Sequence, residues 1–126
     1  MIILRLMGCL YLASGLWCAA QPELSATYLG LGTLNEQGLA EFFSVYGGLQ
    51  IGLGAAMLLG SFYQTYQPGA LLFSALFSTS LALCRLISLI QYNTFSTQLP
   101  FLLLESVIAM LLVYVLIRHN NNIQQS

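Results

Sequence analysis

Four apolar runs, at about 2–20, 42–63, 69–90 and 100–117, constrain this chain more than any other feature. A helix needs ~20 mainly apolar residues to cross the hydrocarbon of a bilayer, and each run meets that length. In lipid every backbone polar group must be satisfied within its own segment, so the runs are read as helices. The predicted fold is therefore all-α: an integral membrane four-helix bundle, with an interfacial segment between helices 1 and 2.

The residue balance supports that solvent. Hydrophobic residues make up 58% of the 126 and charged residues 6%, against ~45–50% and ~25% in soluble domains. So few charges would not cover a water-facing surface. The chain contains no Lys and no Asp, and its arginines, Arg5, Arg85 and Arg118, stand far apart. That arrangement makes no basic stripe, so nucleic acid is excluded as a partner. Without Asp there is no Ser–His–Asp set, and the single His119 cannot build the usual metal sites.

The first run also has the outline of a signal peptide, being N-terminal and ending in small residues before Gln21. Arg5, however, follows four apolar residues instead of forming a basic leader, and the run has the full length of a span. A retained helix is expected, stopped by Pro22. From Gln21 to Ala40 the leucines and tyrosine are too sparse to cross a membrane, and the stretch is read as lying along its surface. Thr33 and Glu36 have the spacing of a capping box, with Thr33 as the cap of the second helix and Glu41 near the surface where the chain enters.

In the second run Gly48, Gly52, Ala56 and Gly60 recur every four positions. Lipid gives helices no hydrophobic reason to associate, so this ridge is expected to be the helix-packing face. In the third, Ser74, Ser78 and Ala82 form a second small stripe, with Arg85 three positions on. A polar turn is predicted from Gln91 to Leu99, then Pro100 in the first turn of the last helix, where its missing N–H does no harm. The domain is read as 1–118 and the polar residues 119–126 as a disordered tail.

Two charges fall inside apolar runs, and they define the candidate site. A charge in hydrocarbon costs roughly 2.5–3.5 kcal/mol even on the lenient insertion scale, so such residues face inward and find partners. Arg85 precedes the turn and Glu105 follows it at similar distance, so antiparallel helices bring them to one depth. Arg5, the turn at 64–68, Arg118 and His119 fall on one side of the membrane, Glu23 and Glu36 on the other. The positive-inside rule then places both termini in the cytoplasm. Glu41, Tyr46, Gln50, Trp17 and Cys18 are expected at the same level as Arg85 and Glu105. Tyr63, Tyr66, Tyr92 and Trp17 fit an aromatic belt.

Glu41, VYGGLQIGLG at 45–54, CRLISLI at 84–90 and Glu105 in LLLESV together resemble a bacterial family. Its members are small four-helix inner-membrane proteins classed as a domain of unknown function, distantly similar to DoxX-like membrane proteins. The resemblance covers the chain to about Leu116. It implies the four-helix membrane fold, a bacterial inner-membrane location and Glu41, Tyr46, Gly47, Gly48, Arg85 and Glu105 as characteristic positions. It implies no activity. Position 50, often acidic in that pattern, is Gln50 here, and Gln91-Tyr92-Asn93 replaces a more usual acidic-glycine turn.

Three functions remain open on these residues. The first is a non-enzymatic accessory or assembly component of the membrane, acting beside another membrane protein, whose Arg/Glu cluster fixes helix packing. The second is a binder or carrier of a small amphiphile, a lipid or quinone headgroup held at Arg85, Glu105, Glu41, Tyr46 and Gln50. The third is a thiol oxidoreductase using Cys18 and Cys84. Against it, Cys9, Cys18 and Cys84 form no Cys-X-X-Cys, and buried cysteines serve commonly as small apolar fillers. No resident cofactor is expected: Gly30-Leu-Gly32 and Gly52-Leu-Gly54 lack the third glycine and the strand–helix context of a dinucleotide fingerprint.

Overall fold

The computed structural model describes residues 1–124, and no strand occurs among them. The helices are α1 (Ile2–Ala20), α2 (Pro22–Tyr28), α3 (Glu36–Phe42), α4 (Gln50–Phe62), α5 (Gln67–Tyr92) and α6 (Phe95–Gln124). Between α3 and α4 the chain does not break but widens into a π-helical stretch, Phe43–Leu49. Helices α3 and α4 with that stretch form one continuous rod, Glu36–Phe62. Four helical segments are thus long and apolar enough to cross a membrane: Ile2–Ala20, Glu36–Phe62, Gln67–Tyr92 and Phe95–Asn121. Large apolar side chains project outward along all of them, among them Leu6, Leu59, Leu76, Ile87, Leu103 and Met110. A surface of this kind is what a multi-pass membrane protein presents to lipid.

The chain divides into two compact units, Met1–Phe62 and Tyr63–Ser126. In the first, α1 packs along α4 and the π-helical stretch. The contact brings backbone against backbone at the glycines, with Leu58 and Ile51 side chains beside them. A Cβ placed on Gly15 would lie 2.7 Å from the Ile51 nitrogen and 2.9 Å from the Gly47 oxygen. One placed on Gly54 would lie 2.6 Å from the Leu12 nitrogen and 2.8 Å from the Gly8 oxygen. Gly8 and Gly15 therefore face Gly54 and Gly47 across the pair, each helix repeating its glycine after seven residues. Towards α1, the close approach is made by Gly47 and Gly54 and not by the expected ridge of Gly48, Gly52, Ala56 and Gly60. A Cβ added to Gly48 or Gly52 would meet nothing within 4 Å, and only Gly60 of that set is buried. Seven-residue spacing keeps Gly47 and Gly54 on the α1 side, while Gly48, Gly52 and Ala56 face outward.

At one end of this unit the N-terminal ammonium donates to the Ser61 carbonyl (3.2 Å), and Arg5 sits over the Phe62 ring, 4.6 Å from its centroid. Both cations lie against the C-terminal turn of α4, the negative end of its dipole. At the other end the long connection, residues 21–35, is partly helical. Pro22 occupies the first turn of α2, and Gly30 (φ +83°) and Gly32 (φ +69°) turn the chain back towards α3. The cap of α3 is Asn35 rather than Thr33: its Oδ1 accepts from the Gly38 N–H at 2.8 Å.

In the second unit α5 and α6 form an antiparallel hairpin. Its turn is far tighter than the polar stretch suggests. Asn93 adopts the left-handed conformation (φ 53°, ψ 45°), and the Thr94 N–H returns to the Leu89 carbonyl. This is the hydrogen-bonded helix stop that glycine usually supplies. Helix α6 then begins at Phe95, so Pro100 is an interior residue and not a first-turn one. Its missing N–H removes one hydrogen bond to the carbonyl four residues back. Ser74 and Ser78 are both buried, as the small stripe of α5 predicts. At its far end α6 continues as helix through residues 119–124, where the sequence predicts a disordered tail, and 125–126 lie outside the described residues.

Candidate functional site

Arg85 lies seven residues before α5 ends, and Glu105 ten residues after α6 begins. At ~1.5 Å of rise per residue the two backbones sit ~10 and ~15 Å from the turn, a mismatch that the long arginine side chain spans. The guanidinium meets the carboxylate side-on. Nε donates to Oε2 of Glu105 at 2.5 Å and Nη2 donates to Oε1 at 2.6 Å. Nη1 donates to Oε1 of Gln98 at 2.8 Å. The guanidinium carbon also lies 5.5 Å from the centroid of Phe101.

These partners come from one stripe of α6. Positions 98, 101 and 105 are spaced i, i+3, i+7 and so share a helix face. They present an amide, a ring and a carboxylate in succession to a single cation. The planar fork of Arg matches a carboxylate in this bidentate way, which a lysine ammonium does not. Side-chain exposure is 25% for Arg85 and 13% for Glu105, so the pair is largely withdrawn from its surroundings. Sequence reasoning pairs Arg85 with Glu105 but misses Gln98 and Phe101. Both fall in or beside the stretch read as a turn, and the helical spacing back from Glu105 is the signal that points to them.

The remaining ligand-binding candidates, Glu41, Tyr46 and Gln50, belong to the other unit. Glu41 is exposed, and Tyr46 stacks on buried Phe42 with ring centroids 4.7 Å apart and planes at 12°. Both line an open cavity of about 250 Å³, together with Leu31, Leu34, Phe42 and Val45. Gln50 is half-buried, and its Oε1 is enclosed without a hydrogen-bond partner among the described residues. Cys9 and Cys84 are exposed and Cys18 is buried, all three as free thiols. Cys18 packs with Ala26 and Phe42, holding α2 against the start of the second span. Trp17 and Tyr28 meet edge-on at 5.6 Å beside them. Among the described residues no cluster of His, Cys, Asp or Glu has the makings of a metal site.

No curated protein and no solved structure matches the chain. One family model does, that described as domain of unknown function (DUF4345), over residues 1–116. The match reaches into all four spans and takes in every residue of the Arg85 cluster. This chain therefore belongs to the DUF4345 family, whose function is unknown.

Proposed function

We propose that this protein is a non-enzymatic accessory or assembly component of a membrane, in which Arg85 and Glu105 lock two spans together. The observation that carries this reading is how fully the guanidinium is occupied. Two carboxylate oxygens, one amide oxygen and a ring face already attend it. A cation waiting for an anionic ligand would keep its fork open, whereas this fork is closed by the protein's own carboxylate. The two charges cancel each other, which lowers the cost of carrying them in apolar segments.

The proposed setting is a bacterial inner membrane with both termini in the cytoplasm. Arg5, Arg118 and His119 support that orientation through the bias of arginine towards cytoplasmic loops. The test is the variant carrying Arg85→Met and Glu105→Leu together, purified in mild detergent and weighed by native mass spectrometry. A structural lock predicts a folded protein with the same oligomeric state and the same co-purifying lipids as the unaltered chain. Loss of a co-purifying lipid or quinone from this variant, with the fold intact, would replace the lock by a headgroup site.

A further inference from the structure

The cavity in the first unit has a composition that the Arg85 cluster does not explain. Its walls are apolar, from Leu31 and Leu34 on the loop before α3 and Val45 on the π-helical stretch. Into the same space project one carboxylate, Glu41, and the Phe42–Tyr46 ring stack. Tyr46 remains 38% exposed while Phe42 behind it is 3% exposed, so the stack is backed by protein on one side and open on the other. Gly38 lets the loop close on the helix, since a Cβ there would lie 3.2 Å from the Leu34 Cβ.

Glu41 forms no ion pair among the described residues. It stands five residues into the rod that begins at Glu36, ~7–8 Å below the polar residues that mark the rod's start. A carboxylate lining an apolar groove calls for a compensating positive charge. Aromatic faces attract cations for an independent reason, the negative charge density over the ring. Carboxylate and ring together select an ammonium, and the apolar walls beside them suit an acyl chain.

We propose that this groove binds a membrane lipid through an ammonium headgroup, with Glu41 as counter-ion, Tyr46 as cation-binding ring, and Leu31, Leu34 and Val45 against the chain. This site is separate from the Arg85–Glu105 pair and does not rest on that pair's role. An anionic headgroup is disfavoured here, because its charge would face Glu41.

The test uses the full-length protein in nanodiscs made from equal amounts of phosphatidylethanolamine and phosphatidylglycerol. These lipids differ in the presence of the ammonium, and those retained after release are counted by native mass spectrometry. The unaltered protein is expected to retain phosphatidylethanolamine over phosphatidylglycerol by roughly fivefold, as one partly exposed ion pair with a cation–π contact allows. Glu41→Gln should reduce that preference to near one. Val45→Trp, which fills the groove and leaves Glu41 in place, should lower phosphatidylethanolamine retention as well. The double variant Arg85→Met, Glu105→Leu, in which the ion pair is removed whole, should leave the preference unchanged. Equal retention of both lipids by the unaltered protein would overturn the proposal. So would an unchanged preference in Glu41→Gln, or a preference abolished in the folded double variant Arg85→Met, Glu105→Leu.

Discussion

Arg85 gathers its partners by geometry that an ammonium does not reproduce. Arg85→Lys would keep the charge but give up the two parallel bonds to Glu105. The expected cost is ~1–2 kcal/mol, read as a lower thermal midpoint in detergent. Gln98→Leu removes one bond to a charged group that is a quarter exposed, and should cost about 1 kcal/mol by the same measurement. The Arg85–Glu105 pairing is legible in the sequence, since charges in apolar runs are rare enough to point at each other. Gln98 is not legible. A glutamine in a polar stretch is ordinary, and its role depends on α6 starting at Phe95, five residues earlier than the apolar run. That earlier start depends in turn on Asn93 accepting a left-handed conformation, which composition leaves open.

At the scale of elements, the close crossing of α1 with α4 and the π-helical stretch governs the first unit. Gly15→Ala or Gly54→Ala would drive a methyl into backbone atoms and force the helices apart. Each should destabilise by ~1–3 kcal/mol, measured by thermal unfolding in detergent. Gly52→Ala should instead be neutral, or stabilising by up to ~1 kcal/mol, because its methyl meets nothing and alanine favours helix. The opposite ranking would restore the every-fourth-residue ridge as the packing face. Four helical spans are evident from apolar length alone, but which glycines they use is not. Gly47 and Gly48 are adjacent, each begins a small-residue series, and the choice between them depends on the rotation of the helix. Helical wheels assume α-geometry, whereas Phe43–Leu49 is π-helical, with more residues per turn. The rod above that stretch is therefore rotated relative to the register that sequence spacing implies.

At the scale of the whole molecule, the chain is a multi-pass membrane protein whose four spans come as two helix pairs. The first is joined through glycine backbone and the second through a neutralised ion pair. The proposed topology, with both termini on one side, calls for an even number of crossings. In a background lacking Cys9, Cys18 and Cys84, single cysteines placed near residue 2 and near residue 120 should both be shielded from an impermeant thiol reagent in intact cells. Both should label once the membrane is opened, and labelling of only one before opening would mean an odd number of crossings.

Mutual neutralisation of Arg85 and Glu105 inside the protein is measured by a double-mutant cycle. Unfolding free energies would be compared for the unaltered chain, Arg85→Met, Glu105→Leu and the double variant in bicelles. Each single variant leaves a charge without its partner, and should lose stability towards the low end of ~3–5 kcal/mol. The double variant should return to within ~1 kcal/mol of the unaltered chain. A double variant that loses the sum of the two single losses would show the two charges acting independently, and would contradict the account.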